Sequence, residues 1–356
     1  PFVLLLLDYW PLNRVATDHR SLTTLLLEKL PLIALSAVSS ALTHWAQTEA
    51  IVSTATIPLM DRVANALVAY VAYLGQFFYP VGLSVFYPYS NGGLPGWKIF
   101  GAMLLLASIS TASWRARRRC PYWPVGWFWY LGMMVPVIGL VQVGSQAMAD
   151  RYTYLPQIGL SVGLAWGAAD WIGAQPGRRR LGVAVAAIVT LELMICAWQQ
   201  VSYWRDSRSL WSQAVAHTSR NGIAHHHLGL ALLDENRNDE AAAEFRKMVQ
   251  LKPDFDEAHR LLGVSLARDG HFQEAVDAFQ EALRLRPDSI ETYDGLAWAL
   301  ACLGRKSDAV EAARRAAVLA ERRGDVHAAA ELRLRWNAYR NDPSKKSTPH
   351  RGNAAP

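Results

Sequence analysis

At 356 residues and 51% hydrophobic content, the chain carries 36 Lys and Arg against 30 Asp and Glu, a net charge of only +6. Much of that excess sits in two short arginine runs, which excludes the extended basic face with interleaved aromatics that nucleic-acid binding needs. Three cysteines in unrelated contexts, Cys120, Cys196 and Cys302, form no disulfide framework and no metal-ligand spacing. Charge is sparse from about 63 to 203 and dense from 204 onward, so a domain boundary is expected beside Trp204.

The opening run Phe2-Val3-Leu4-Leu5-Leu6-Leu7 is far short of the roughly 20 apolar residues that cross a bilayer core. It has neither the charged flank nor the cleavage site of a secretory signal. With Pro1 in place of Met, the expectation is a piece of a longer protein with earlier membrane helices upstream. Five later stretches read as spans, about 30–48, 97–114, 122–144, 154–173 and 181–203, and 122–144 carries no charge at all. Segment 63–86 reads differently. Arg62, Asn65, Ala69, Tyr73 and Gln76 recur at helical spacing as a narrow polar stripe, which Pro80 cuts off. An amphipathic helix in the outer interface fits that pattern, and a spanning helix is the alternative.

Arg115, Arg117, Arg118 and Arg119 separate two spans, and Arg178, Arg179 and Arg180 separate two others. The positive-inside rule assigns both loops to the cytoplasm. Loop 144–154 and everything after 203 then lie outside it, while the loop with Arg14, His19 and Arg20 stays inside if 63–86 lies on the outer surface. A multi-pass protein of a bacterial inner membrane, with a periplasmic C-terminal part, is the expected location. An endoplasmic reticulum membrane would obey the same rule.

Loop 144–154 gathers an acid, a base and two tyrosines at the outer surface. Arginine's planar fork suits a phosphate, and tyrosine suits headgroup depth. Arg151, Asp150, Tyr152 and Tyr154 are therefore candidate contacts for a lipid-linked phosphate. An interfacial Asp–Arg pair with belt tyrosines accounts for the same residues without function. The turn signal Asn91-Gly92-Gly93 with Pro95 offers no phosphate cradle. Glu192 sits mid-span, where an ionisable group is costly and often functional. A neutral carboxyl, or one paired with a polar group such as His44, reads equally well.

Beyond 204 the pattern changes to a 34-residue period. Leu228-Gly229 returns as Leu262-Gly263 and, decayed, as Leu296-Ala297, while Ala241, Phe245 and Pro253 return as Ala275, Phe279 and Pro287. That spacing is the signature of tetratricopeptide repeats (TPRs), helix-turn-helix units that must stack to bury their apolar faces. Leu210, Trp211 and Ala214 match the second helix of a preceding copy. The expected fold is all-α: a multi-span helical membrane domain over 1–203, then a short TPR α-solenoid over 204–340. The solenoid divides into a half-repeat 205–221, repeats 222–255 and 256–289, a degenerate repeat 290–323 and a solvating cap helix 325–340 with Glu331, Arg333 and Arg335. Residues 341–356, rich in Pro, Lys and Ser, read as a disordered tail.

Consecutive positions on a helix point about 100° apart, so His225, His226 and His227 do not converge on one metal ion, and no metal site is assigned. By repeat phase, His226, Leu230, Asp234, Glu257, Arg260, Val264, Arg268, Asp294 and Trp298 face the groove. That mixture suits a peptide with apolar and charged contacts; a pure spacer is the bland alternative.

Four stretches carry a resemblance. They are Pro1-Phe2-Val3-Leu4-Leu5-Leu6-Leu7-Asp8-Tyr9-Trp10-Pro11-Leu12, Leu27-Glu28-Lys29-Leu30-Pro31-Leu32, Ala149-Asp150-Arg151-Tyr152-Thr153-Tyr154-Leu155-Pro156 and Tyr203-Trp204-Arg205-Asp206. With the TPR tail, they resemble the C-terminal part of membrane O-mannosyltransferase-like proteins of the GT-C architecture. The resemblance implies transfer of a sugar from a polyprenyl-phosphate donor to protein hydroxyls on the outer face, with the TPRs holding the acceptor or a partner. It implies an acid in the first outer loop, acting as general base or with a divalent metal. That loop would precede Pro1, so no catalytic residue is assigned in this chain. Arg151 carries over as a donor-phosphate contact, with Asp150 as its orienter. A reading from a different class stands beside it: a non-catalytic, membrane-anchored TPR scaffold for envelope protein assembly. Membrane lipid and a protein or peptide are partners in either case, nucleic acid in neither.

Overall fold

The computed structural model describes residues 1–14, 21–46, 57–89, 93–142, 144–173 and 175–341. His19, Arg20, Asn91, Gly92, the tail beyond 341 and the side chain of His44 lie outside that description. The chain divides into two compact units, Pro1–Trp204 and Arg205–Pro356.

The first unit contains α1 (Phe2–Tyr9), α2 (Leu22–Ala46), α3 (Leu59–Phe78), α4 (Gly96–Ala116), α5 (Tyr122–Met134), α6 (Tyr154–Ile172) and α7 (Pro176–Tyr203). A short antiparallel ribbon pairs β1 (Tyr87–Pro88) with β2 (Gln146–Met148). Among the described residues, three helices are long and apolar enough to cross a membrane: Thr23–Thr43 within α2, and the whole of α4 and α7.

Helices α5 and α6 form an antiparallel hairpin whose contact is glycine on glycine. A Cβ on Gly159 would meet the Gly126 carbonyl oxygen at 2.5 Å and the Trp129 Cβ at 2.8 Å, so neither glycine has room for a side chain. Trp123 packs over Gly163 and Gly167 farther along α6. This pairing brings the α4–α5 and α6–α7 turns, and with them both arginine runs, to one end of the unit. Tryptophans collect there too: Arg117 lies over the Trp114 ring at 4.6 Å and Arg178 over that of Trp171 at 5.7 Å. Trp10 meets Tyr122 and Trp166 edge-on at 6.0 and 5.9 Å. The β1–β2 ribbon lies at the opposite end.

Segment 122–144 is not the single long helix its charge-free run suggests. Helix α5 ends at Met134, because Pro136 in a continued helix would lack its backbone donor and clash with the preceding turn. Thirteen residues rise about 20 Å, well short of the roughly 30 Å hydrocarbon core. Tyr122, Trp127, Tyr130 and Met134 are buried within the unit, so α5 is a core helix.

The second unit is a TPR solenoid. It opens with α8 (Ser207–His217), continues as the pairs α9–α10 (Gly222–Asp234, Asn238–Leu251), α11–α12 (Asp256–Arg268, Phe272–Leu285) and α13–α14 (Ile290–Cys302, Lys306–Arg322), and closes with α15 (Val326–Asn341). Asp206 and Asn221 cap α8 and α9 by accepting from the Ser209 and Ala224 amides at 2.7 and 3.0 Å. The repeats lock through aromatic rings seated on glycines. A Cβ on Gly229 would lie 2.6 Å from the Phe245 ring, and one on Gly263 would lie 2.8 Å from that of Phe279. Gly295, from the next copy, meets the tip of the Phe279 ring, where a Cβ would stand 2.7 Å from it. In the third copy Ala297 stands at the register position of Gly229 and Gly263, and Ala313 stands where the ring would be, so Gly295 is an additional contact between copies.

Helix α15 departs from a solvating cap. Ala329 and Leu332 pack on Ala316, Ala317 and Ala320 of α14. Arg335 reaches back to form an ion pair with Asp294 on α13, and Arg333 pairs with Glu321 at 2.6 Å. Its small apolar face makes it a structural first helix of a further half-repeat, so the array ends as it began, on half a unit.

Candidate functional site

Two places in the molecule gather chemistry, one in each unit. In the first unit the polar stripe of α3 faces inward. Asn65 donates to the Ala147 carbonyl at 3.0 Å, and the Tyr73 hydroxyl donates to the Ala149 carbonyl at 3.1 Å while accepting from the Ala149 amide at 2.8 Å. The stripe is thus the seat on which the 146–150 segment is fixed, with Asn65 and Tyr73 bound to its backbone. Arg62 is buried as well and donates to the Ile57 carbonyl at 3.0 Å.

The anchored segment carries Asp150 and Arg151, and their side chains part company. Gln76 donates to Asp150 at 3.4 Å and to the Tyr87 hydroxyl at 3.1 Å; Tyr87 in turn donates to Asp150. Burial pushes the Asp150 carboxyl above the usual range, more than the hydrogen bonds from Tyr87, the Ser84 backbone and Gln76 pull it down. Burial likewise pushes the Tyr87 phenol up. Arg151 points outward instead, exposed, with its guanidinium 5.3 Å from the Tyr152 ring. Tyr152 accepts from Gln146 at 2.9 Å, and Tyr154 is 75% exposed. The expected Asp150–Arg151 pair is therefore absent among the described contacts: residues 150–153 form a 3-10 turn that sends neighbouring side chains to different sides. Asp150 does not orient Arg151. Tyr87 and Gln76 were not expected as its partners, and Tyr87 stands in no motif that could have announced it.

Glu192 lies within α7, which buries none of its residues in the unit. Its proposed partner His44 falls outside the described side chains.

In the second unit, the first helices of successive repeats, α9, α11 and α13, line one side of the array. His226 and Leu230 on α9 and Glu257, Arg260 and Val264 on α11 are half-buried there, and Leu230 and Val264 rest on the core. Arg260 forks onto Glu257 at 2.7 and 2.5 Å, and both charges act on the His226 imidazole. Asp234 and Arg268 are exposed, with Arg268 3.5 Å from the Leu233 carbonyl. Trp298 meets Phe272 edge-on at 5.9 Å, and its buried indole N–H has no hydrogen-bond partner among the described residues. Asp294 is the departure: its pairing with Arg335 commits it to holding α15 in place.

The three consecutive histidines go to three different surroundings. His225 Nδ1 lies 2.5 Å from Glu244, His227 stacks on Trp211 at 4.3 Å between centroids, and His226 faces the α11 row. Burial holds both His226 and His227 below their ordinary range. For Glu244, burial pushes the carboxyl up, but hydrogen bonds from His225 and Lys247 outweigh it and bring it below the usual value.

The tetratricopeptide repeat family model matches residues 201–256 and 228–290. No curated protein matches the chain. Among solved structures, the chain is similar to the TPR2B-domain:pHsp70 complex of yeast Sti1, over 34% of this chain and 98% of that one, at 16% identity and a TM-score of 0.33. It is similar to MamA over 37% and 86%, at 19% identity and 0.31. It is also similar to the first TPR of Spaghetti (RPAP3) bound to the HSP90 peptide SRMEEVD, over 34% and 94%, at 19% identity and 0.30. Scores this low add nothing to the assignment, and none of these matches extends the resemblance to O-mannosyltransferase-like proteins. The family match and the packing of α8 to α15 together identify the second unit as a TPR solenoid.

Proposed function

We propose that this chain is a membrane-anchored scaffold whose TPR array binds a protein segment along its α9–α11–α13 side. The row His226, Leu230, Glu257, Arg260 and Val264 carries the reading. It offers two apolar seats beside a fixed Arg–Glu pair, on two helices, α9 and α11, held by the glycine–phenylalanine contacts beneath. An extended peptide with one or two apolar side chains and flanking charge fits that row. For the anchor, support comes from the three long apolar helices and from the arginine end with its tryptophans. Helix α7 starts at that end, so with the arginines in the cytoplasm the array emerges on the opposite side, the periplasm in a bacterial inner membrane. The test uses the full chain in lipid nanodiscs and peptides selected on it from a displayed library. Replacing both Leu230 and Val264 by Glu, with helicity unchanged, should weaken the selected peptides by about tenfold or more, equivalent to about 1.4 kcal/mol. Equal binding by the double variant would show that the peptides do not use this row.

A second reading, sugar transfer from a polyprenyl-phosphate donor to protein hydroxyls, is favoured by one observation. The Asp150 carboxyl is engaged by Gln76 and Tyr87, which leaves the exposed Arg151 guanidinium beside Tyr152 without that carboxylate to neutralise it. An outward-facing arginine above a tyrosine suits a lipid-linked phosphate. If donor lipid binds the Arg151→Ala chain as tightly as the parent, this reading fails.

A further inference from the structure

Helix α7 is 28 residues long and buries none of them within its unit. Along one face run Val185, Ile188, Glu192, Cys196, Gln199 and Tyr203, spaced three or four apart. Glu192 lies 16 residues after Pro176 and 11 before Tyr203 (192 − 176 and 203 − 192), which is within the hydrocarbon region for any helix that spans it. Gln199 stands two turns farther on the same stripe. A carboxyl and a carboxamide facing lipid at two depths are costly unless each finds a hydrogen-bonding partner. The charged residues of the other two apolar helices, Glu28 and Lys29 on α2 and Lys98 and Arg115 on α4, lie toward the helix ends.

We propose that two copies of this chain pair in parallel through the Glu192 face of α7, an inference that rests on the membrane-anchored reading above. A carboxyl and a carboxamide each carry donor and acceptor capacity, two carboxyls by sharing a proton, so each is complementary to its own kind. A two-fold axis along the helices sets every residue against its counterpart, Glu192 against Glu192 and Gln199 against Gln199, satisfying both depths at once. A foreign helix would need matching polar groups at the same two heights. Interhelical hydrogen bonds of this kind are established drivers of association in lipid. The pairing would set two TPR arrays side by side on one anchor, giving a scaffold with two copies of its groove.

Cys196 follows Glu192 by one turn on the same stripe and serves as the reporter. In the full chain, in native membranes, Cys120 and Cys302 are replaced by Ser and the membranes are oxidised with copper phenanthroline. A disulfide-linked dimer through Cys196 is expected. Glu192→Leu should reduce it at least about fivefold, and Glu192→Gln should retain it. Moving the thiol to the far side, as Met194→Cys in a Cys196→Ser background, should abolish it, because position 194 is turned about 200° from 192. No dimer at Cys196, equal dimer at 194 and 196, or a dimer indifferent to Glu192→Leu would each overturn the pairing while leaving the anchor intact. Carbonate washing reads the anchor separately: a chain recovered in the soluble fraction overturns the membrane reading and the pairing with it.

Discussion

The two units place the same residue types in opposite ways. In the first, Leu35, Val38 and Leu42 on α2 and Ile188, Leu191 and Met194 on α7 are exposed, while Asp8, Lys29, Arg62 and Gln142 are buried. Asp8 pairs there with Lys29 and with Arg14, and the ion pairs hold α1 against α2. In the second, Phe245, Phe279 and a run of alanines on α14 are buried, and the surface carries ion pairs such as Arg246–Glu274 and Arg314–Glu311. Each arrangement makes sense against a different solvent. Apolar side chains turned outward and charges satisfied inward suit lipid, where an unpaired polar group is the expensive one; the reverse suits water. The units also share one device, close contact at glycine, where removal of a side chain lets a ring or a backbone come near.

The comparison breaks first, and by the largest margin, at the glycine–phenylalanine contact of the array. Phe279→Ala should cost about 3–5 kcal/mol, a large part of a typical domain's stability. Gly263→Leu should do comparable damage by overpacking the same ring. Loss of the cooperative helical melt of residues 205–341 measures it, and membrane extraction of the full chain should be unchanged. If either substitution also abolishes insertion, the two units do not fold independently.

The counterpart in the first unit is Gly159→Leu, which forces α5 and α6 apart and should cost about 1–3 kcal/mol. The readout is a lower melting temperature of the detergent-solubilised chain followed by tryptophan fluorescence, since Trp129 lies against that glycine. The array's own melt should stay where it was.

A smaller effect separates the units by pH. Burial keeps His226 and His227 below their ordinary value of 6.5, so below pH 6.5 the unfolded chain takes up protons that the folded array refuses. Array stability should hold steady above pH 6.5 and fall on acidification below it. Glu244 adds to the loss only farther down, below its ordinary 4.5. Melting curves at pH 7.5 and 5.5 check this, and a His226→Gln, His227→Gln double variant should narrow the gap. A gap of unchanged size would place the proton uptake elsewhere.

Legibility in the sequence followed the range of the constraint. The repeats could be read because the first two copies solve the same local problem, a small residue opposite an aromatic at a fixed spacing, while the third has alanine at both places, Ala297 and Ala313. Segment 122–144 could not, because an apolar run looks the same whether it is buried in lipid or among α3 and α6; Pro136 was the available clue. Adjacency misled at Asp150 and Arg151, where a 3-10 turn divides two neighbours that a sequence places together. The stripe on α3 was visible, but its use as a seat for residues 146–150 depends on contacts more than 70 residues apart, such as Tyr73 with Ala149. Asp294 was counted as open for the same reason, since its partner Arg335 lies 41 residues away.

The proposed division of labour between a lipid-facing anchor and a peptide-binding array is tested most directly by photo-crosslinking in intact membranes. A benzophenone side chain is placed at Leu230 or Val264 on the α9–α11–α13 side, and at Gln280 or Arg284 on the exposed face of α12 as controls. The account predicts a discrete protein adduct from positions 230 and 264, lost on competition with a row-binding peptide, and none from 280 and 284. Equal adducts from both faces, or none from either while the chain remains in the membrane, would contradict it.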